Sequence, residues 1–246
     1  MGWKRTIGNL EVLFRYGIRP RKPRLWLRVT SGYIKALFTN PPPLHYIDFV
    51  TDYTCNLRCQ HCFATNLVSP HRKKLTIEEY KRVAQEAMAL GVIHFSFQGG
   101  EPLLDKRLPA IIKAFKPSAN YIAVTTNGSL LTKERILVLK KLGVDKLSIS
   151  LDSGLAAEHD RFRGVPGTFK KAWQGMKLAL KRGLRVTINT TISHQNLHSG
   201  GVKKLFDWAK KNKIILNPIF ACPIGRWSEN LGVLVTPADR KYVNKL

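Results

Sequence analysis

The stretch Cys55-Asn56-Leu57-Arg58-Cys59-Gln60-His61-Cys62 places three cysteines within eight residues, just after an apolar run that predicts a β-strand. Three thiolates this close can hold a metal centre, but they cannot complete a structural zinc site, which takes four ligands. On a four-iron cluster they would leave one iron open to a substrate or a small chelator. The stretch therefore indicates a working metal centre rather than a structural one.

Three other interpretations of these cysteines remain. A disulfide would leave one thiol unpaired, and nothing in the chain indicates secretion. A structural zinc site would need a distant fourth ligand (His61, His71 or Cys222), and the spacing differs from the paired CxxC units of zinc knuckles. Buried, inert cysteines are not favoured in a loop that also holds Arg58 and Gln60. With three thiols reserved for metal, we expect a reducing, cytoplasmic setting.

The 246 residues carry a formal net charge of +25, with 44% apolar residues. This length suits one large α/β domain or two small ones. A solvated basic surface accounts for most of the lysines and arginines, but so strong a field also attracts nucleic acid, acidic lipid headgroups or an acidic electron-transfer protein. We find no apolar stretch long enough to span a bilayer and no cleavable signal sequence.

Residues 1–43 are expected to be a separate basic, aromatic segment that ends at Pro41-Pro42-Pro43. It contains many basic residues and one acidic residue, Glu11, and aromatic residues are interleaved with the basic ones. Such a segment could lie on an anionic membrane surface, as a peripheral contact, or pack as a helical lid on the main domain, which we favour. Residues 44–226 would be that domain, and residues 227–246 a tail or the start of a C-terminal extension.

From residue 44 onward, strand and helix patterns alternate. The predicted strands are 45–51, 92–97, 121–126, 146–151, 185–192 and 214–220, and the predicted helices are 76–90, 106–115, 132–143, 168–182 and 202–211. Thr76 and Glu79 form a capping box at the start of the first helix. Strands separated by helices of this length predict a parallel sheet. Without a Rossmann glycine fingerprint, six such units predict an α/β fold of the partial (β/α)6, TIM-like barrel type.

Polar side chains follow the predicted strands at their carboxyl ends, where barrel enzymes place their chemistry. They are the three cysteines after strand one, Gly99-Gly100-Glu101-Pro102 after strand two, Thr126-Asn127-Gly128 after strand three, Ser150 and Asp152 at strand four, and Asn189 and Thr191 near the end of strand five. This shared location predicts one active site.

With the cysteines and the Gly99-Gly100-Glu101-Pro102 motif together, the chain resembles the radical S-adenosylmethionine (SAM) superfamily over about residues 46–226. The resemblance implies that Cys55, Cys59 and Cys62 hold a four-iron four-sulfur (4Fe-4S) cluster whose open iron takes the amino and carboxylate groups of SAM. Reduction would then cleave SAM to methionine and a 5′-deoxyadenosyl radical that abstracts hydrogen from a substrate. An acidic flavodoxin or ferredoxin, steered by the basic surface, is the expected electron donor.

The resemblance also implies roles around this centre. Gly99 and Gly100 would let the backbone approach a ligand closely, and Glu101 would accept hydrogen bonds from the SAM ammonium. His61 stands where the family usually has an aromatic residue whose backbone meets the adenine. The remaining assignments are the ribose hydroxyls for Ser150 and Asp152, the SAM carboxylate for Arg163, and adenine or substrate for Asn189 and Asn127.

Structural roles compete with several of these assignments. Asp152 can equally cap a loop, and Asn127 followed by glycine is a common turn pair. Arg163 can be a surface residue, and Arg161 can exchange roles with it.

The runs Ser148–Ser153, Asp160–Gly164 and Pro223–Arg226 resemble the branch that carries SPASM or twitch-type C-terminal extensions. That branch includes peptide maturases and relatives of the molybdenum-cofactor cyclase. Cys222 lies where such enzymes often place the first ligand of an auxiliary cluster, but no cysteine follows it. We expect a lone thiol and a missing extension; a fragment or a short form is the alternative.

The expected function is a radical SAM enzyme with an unidentified substrate, for which a peptide is one candidate. One alternative is a radical SAM modifier of a membrane lipid or isoprenoid, docked through residues 1–43. Another, of a different class, is a basic nucleic-acid-binding protein with a structural metal site. It is not favoured, because the barrel core shows no platform of interleaved basic and aromatic residues.

Overall fold

One six-stranded parallel sheet organises the residues that the computed structural model describes, which are 22–39, 43–67, 69, 71 and 73–246. The strands are β1 (Tyr46–Val50), β2 (His94–Gln98), β3 (Tyr121–Thr126), β4 (Lys146–Ser150), β5 (Arg185–Ile192) and β6 (Ile215–Phe220). The helices are α1 (Pro23–Phe38), α2 (Ile77–Ala89), α3 (Leu108–Ala114), α4 (Lys133–Lys141), α5 (Ala156–Arg163), α6 (Thr168–Lys181), α7 (Gly200–Lys211) and α8 (Pro237–Val243). The expectations for residues 1–21 and for Pro41-Pro42 lie outside the described residues.

The strands lie in the sheet in chain order, β1 to β6, and all five pairings are parallel. Parallel neighbours require crossover connections, and α2, α3, α4, α6 and α7 supply them. The sheet curls into a half-barrel, and the predicted partial (β/α)6 barrel is confirmed. Because the pairing is in register, Ser150 on β4 lies beside Asn189 on β5, and Asn189 lies beside Asn217 on β6.

The main core lies between the sheet and its crossover helices. Phe115, at the end of α3, is fully buried, and its ring lies 4.8–5.0 Å from the rings of Phe49, Phe95 and Phe97. The alternate positions of the strands face the inside of the half-barrel, and many of them are polar, as at Ser148 and Thr187. A polar inner face leaves side chains available for binding.

The end of the barrel opposite the carboxyl ends of the strands, called the basal end here, is closed by α1. Leu25 and Val29 of α1 are fully buried against Ile93, Tyr121 and Ala123. The Lys22 ammonium, just before the helix, donates to Asp145 at 2.5 Å and to the carbonyl of Gly143 at 2.8 Å. The Arg28 guanidinium donates to the carbonyl of Val92 at 2.9 Å and to the side chain of Asn120. The division of the chain into residues 1–43 and 44–226 stays a prediction.

Local signals explain most element boundaries. Thr76 and Glu79 form the predicted capping box, with Glu79 N donating to Thr76 Oγ1 at 3.2 Å and Thr76 N donating to Glu79 Oε2 at 2.7 Å. Helix α5 was not predicted; it has no side-chain cap at its N-terminus and ends at Gly164 in the left-handed conformation. Among the described residues, no helix is both long and apolar enough to cross a bilayer.

Candidate active site

The cysteine-containing loop (residues 52–62) crosses the carboxyl end of the sheet against the loop that follows β2. Gly100 N donates to the carbonyl of Asp52 and Glu101 N to the carbonyl of Thr54, both at 2.8 Å. A Cβ atom at Gly99 or Gly100 would overlap these backbone oxygens. Glycine is therefore needed at both positions because the backbone of the cysteine loop packs directly against them. The close approach of a ligand to the same glycines stays a prediction.

A turn after β6 holds the other side of the same loop. In the 3-10 turn Gly225–Trp227, the backbone N–H of Arg226 donates to the carbonyl of Cys62 at 3.1 Å. The Arg226 guanidinium donates to the carbonyl of Arg58 at 2.9 Å and, through Nε, to the Thr65 hydroxyl at 3.2 Å. A Cβ atom at Gly225 would overlap the Cys62 carbonyl, so the close approach of this turn also requires glycine.

A cavity of about 620 Å³ opens at the carboxyl ends of the strands. Ten of the twelve predicted site residues line it: Cys55, Cys59, His61, Cys62, Gly99, Gly100, Asn127, Ser150, Arg163 and Asn189. Glu101 and Asp152 do not line it. The wall on the β6 side is largely apolar, with Ile219, Phe220 and Trp227.

Glu101 is only 2% exposed and lies behind the cavity wall. Its carboxylate accepts hydrogen bonds from Thr126 Oγ1 at 2.8 Å, Asn127 N at 2.7 Å and Leu103 N at 3.1 Å. Burial raises the pKa of Glu101, and these donors oppose the rise by stabilising the anion. The carboxylate therefore fixes the loop after β3, and its contact with the SAM ammonium stays a prediction.

Asp152 is 2% exposed and lies behind Arg163. Its carboxylate accepts from Arg163 Nε at 2.6 Å and from Thr191 N at 3.0 Å, while its own N–H donates to His159 Nδ1 at 3.2 Å. Burial opposes ionisation of Asp152, but the charge and hydrogen bond of Arg163, together with contributions from His61 and His159, outweigh burial, and the pKa of Asp152 falls below its usual value. An ion pair with Asp152 thus orients Arg163, and the contact of Asp152 with the ribose stays a prediction.

His61 packs its ring against Phe162, with 4.6 Å between ring centroids, and lies 5.7 Å from the ring of Trp227. Burial, with a further contribution from Arg163, lowers the pKa of His61 to about 4, so its side chain is neutral at pH 7. Aromatic packing therefore holds the cysteine loop at this residue. The position matches the place where the resemblance implied an aromatic side chain.

Comparison with known proteins adds a decisive finding to this geometry. The sequence model described as the radical SAM superfamily matches residues 50–200. The chain belongs to the radical SAM superfamily. It is an enzyme of this group, which uses a 4Fe-4S cluster and SAM. The predicted family membership and cofactors are confirmed.

Two curated radical SAM relatives and one solved structure illustrate the similarity. The chain is 34% identical to the AdoMet-dependent heme synthase of Methanosarcina barkeri over 206 residues, covering 83% of this chain and 57% of that protein. It is 32% identical to the GTP 3′,8-cyclase of Clostridium perfringens over 185 residues, covering 73% of this chain and 56% of that protein. The chain thus spans a little over half the length of these relatives.

The solved structure is Streptococcus suis SuiB bound to its precursor peptide SuiA. It matches with a TM-score of 0.70 at 19% identity, covering 89% of this chain and 49% of that chain. At this identity the likeness shows the shared radical SAM barrel.

The residues present fit the family's cluster. All three thiols of the motif line the cavity, and they are free cysteines. Burial raises the pKa of Cys55 and Cys59, so their thiolates need a cationic partner such as iron. Within the described part of the chain, no three His, Cys, Asp or Glu side chains converge as ligands of one metal ion. In a cubane cluster each cysteine binds a different iron, so such convergence is not needed.

Several cavity residues were absent from the predicted site. They are Gln98 and Thr125 at the ends of β2 and β3, and Cys222, Arg226 and Trp227 after β6. Strand periodicity could have identified Gln98 and Thr125, because they follow buried apolar positions of their strands. No local signal identifies Arg226, whose partners lie more than 160 positions away in the sequence.

Proposed function

We propose that this chain cleaves SAM reductively and directs the resulting 5′-deoxyadenosyl radical to a hydrogen atom of a small anionic substrate. The observation that carries the proposal is the cavity in which the three thiols, two arginines and polar strand ends meet. When bound by Cys55, Cys59 and Cys62, the cluster supplies the electron that breaks the sulfonium bond. An acidic flavodoxin or ferredoxin is the proposed reductant, because the +25 charge would steer it.

The chain's own residues would bind and orient SAM. Arg163, held by Asp152, is a fixed cation at the cavity wall and suits the SAM carboxylate. Ser150 and Asn189 sit side by side on β4 and β5 and offer hydrogen bonds to the ribose or the adenine. The apolar β6 side of the cavity suits the adenine face.

For the substrate, we favour a tetrapyrrole that carries carboxylate side chains. Names among the relatives, AdoMet-dependent heme synthase and Fe-coproporphyrin III synthase, support this class. Arg58 and Arg226 are exposed beside the cavity, where they would pair with the carboxylates of a substrate that enters from solution. No observation of comparable weight favours a peptide, a lipid or a nucleic acid, since the likeness to SuiB extends to the fold alone.

Anaerobic reconstitution with iron and sulfide, followed by electron paramagnetic resonance of the dithionite-reduced protein, tests the proposal. We expect a cubane signal that changes on addition of SAM, together with 5′-deoxyadenosine. Iron coproporphyrin III should increase 5′-deoxyadenosine formation, whereas GTP should not. Bound zinc, or a cluster indifferent to SAM, would contradict the chemistry; stimulation by GTP alone would contradict the substrate class.

A further inference from the structure

The outer side of α1 carries an exposed apolar stripe, defined here as Leu27, Ile34 and Phe38. At 3.6 residues per turn these three residues fall on one line along the helix, opposite the buried Leu25 and Val29. Their exposed fractions are 60%, 59% and 84%. The stripe therefore adds nothing to the packing of α1 on the barrel.

Positive charge flanks this stripe. Arg24 and Lys35 are exposed and lie together on one side of it, about a quarter turn away. α1 contains no acidic residue. Long cationic side chains placed beside an apolar stripe can reach lipid headgroups while the stripe enters the acyl boundary.

The topology of the barrel extends this positive charge over most of the basal end. In a parallel α/β fold, the carboxyl ends of all crossover helices gather at that end. The last turns of α3, α4, α6 and α7 and the loops that follow carry exposed lysines: Lys113, Lys116, Lys140, Lys141, Lys181, Lys210, Lys211 and Lys213. The last turn of α2 carries the exposed acid Glu86 instead. Lysines at helix carboxyl ends also interact favourably with the helix dipoles. Their charges nevertheless add to a positive electrostatic potential on one surface, the basal end. In the loops that join α2, α3, α4, α6 and α7 to the next strand, the one acid is Asp145, which is buried and paired with Lys22.

We infer that the basal end is a docking surface for an anionic lipid bilayer, with the stripe of α1 inserted at the interface. An apolar stripe with basic residues along one side suits a membrane better than nucleic acid. Nucleic acid would pair with the cations, but its binding would not be strengthened by Leu27, Ile34 or Phe38. The active-site cavity opens at the opposite end of the strands. A docked molecule would therefore keep its cavity facing away from the bilayer, which favours anchoring over a lipid substrate.

Sedimentation of the 246-residue chain with vesicles tests this inference. We expect binding to phosphatidylcholine vesicles that contain phosphatidylglycerol, much weaker binding to phosphatidylcholine alone, and release by high salt. Ile34→Ser and Phe38→Ser should each weaken the partition coefficient about tenfold, and Lys35→Gln about fivefold. Leu231→Ser is the matched control, since Leu231 is 68% exposed but lies away from α1 in a turn near the C-terminus.

Four outcomes would overturn the inference. The first is no vesicle binding, the result expected if residues 1–21 cover the stripe, and the second is equal binding to both vesicle types. The third is stripe variants that bind vesicles as well as the wild type does. The fourth is a protein dimer that does not bind vesicles and that Phe38→Ser dissociates. Duplex DNA that binds the wild type and Phe38→Ser equally, with vesicles ignored, would assign the surface to nucleic acid. Circular dichroism of each variant checks folding, and SAM cleavage should be unchanged because the stripe is remote from the cavity.

Discussion

Arg163 and Cys59 meet at the cavity wall, where the guanidinium Nη1 lies 3.7 Å from the cysteine sulfur. The Nε of the same guanidinium donates to Asp152 at 2.6 Å, so one side chain links a proposed cluster ligand to a buried carboxylate. Burial opposes the charge on Arg163, but Asp152 and Cys59 together outweigh burial and keep the pKa of Arg163 above its usual value. The position of Cys59 thus depends on an ion pair between the loop after β4 and the last residue of α5.

Asp152→Asn should destabilise the protein, because it leaves the Arg163 charge buried without its partner. Breaking a buried pair in this way costs about 3–5 kcal/mol in the free energy of unfolding. Urea denaturation measures the loss, with Glu158→Gln as a nearby control. The double variant Asp152→Leu, Arg163→Met should be more stable than Asp152→Asn. Additive losses in the double variant would show that the two residues do not act as a pair.

Cys59→Ala should abolish SAM cleavage while leaving the barrel folded, because the thiolate would bind iron and Cys59 belongs to none of the hydrophobic clusters of the described residues. The measurements are iron content after reconstitution, 5′-deoxyadenosine formation and the far-ultraviolet circular dichroism spectrum. Cys222→Ala is the matched control, as another free thiol of the same cavity, and should retain both iron and cleavage. A Cys59→Ala protein that still cleaves SAM under reduction would refute the assignment.

Glu101→Gln should lower stability and SAM affinity together. The N–H groups of Leu103 and Asn127 bond to different oxygens of the Glu101 carboxylate, and the glutamine NH2 replaces one of these oxygens, so a donor then opposes one of the two N–H groups. Mismatched buried groups of this kind cost about 1–3 kcal/mol. Urea denaturation and SAM titration separate the two effects, with the exposed Glu134→Gln as control. Unchanged stability with lost SAM binding would instead support direct contact between Glu101 and the SAM ammonium.

The sequence predicted the barrel well, because local signals carry most of the information about its elements. β3 and β5 have the predicted bounds, and Thr76 caps its helix as expected. The site was predicted less completely. The motif is compatible with two roles for Glu101, direct contact with SAM or a buried carboxylate that fixes the loop after β3. Only the residues packed around Glu101 distinguish the two roles. Arg226 bonds to residues far away in the sequence, and no pattern within a short window contains that information.

Acidification should destabilise the protein through His159, which is 1% exposed. Burial lowers the pKa of His159 to about 4, against an unfolded value of about 6.5. Between these values the unfolded state binds the proton and the folded state does not, so stability present above pH 6.5 is lost as the pH falls toward 4. His159→Asn keeps an acceptor for the Asp152 N–H but cannot titrate. Its free energy of unfolding should therefore depend less on pH than that of the wild type; equal slopes in urea titrations would contradict this account.

Arg226 should control how firmly the cysteine loop holds its metal centre. Its guanidinium donates to the carbonyl of Arg58, to the carbonyl of the proposed cluster ligand Cys59, and to the Thr65 hydroxyl. Arg226→Met keeps the apolar stem but removes these donors, so the cysteine loop keeps only the backbone bond from residue 226 to the Cys62 carbonyl. We expect iron loss to a chelator to accelerate about tenfold, equivalent to about 1.4 kcal/mol, as for one or two lost charged hydrogen bonds.

Arg226→Lys should restore part of this retention, because an ammonium can reach one carbonyl but cannot match the planar fork of the guanidinium. The exposed Arg161→Met is the matched control for loss of one positive charge near the cavity. A general effect of charge on iron binding would accelerate iron loss equally in Arg161→Met and Arg226→Met. Faster loss in Arg226→Met alone, with an unchanged unfolding midpoint, assigns the effect to the geometry of the cysteine loop.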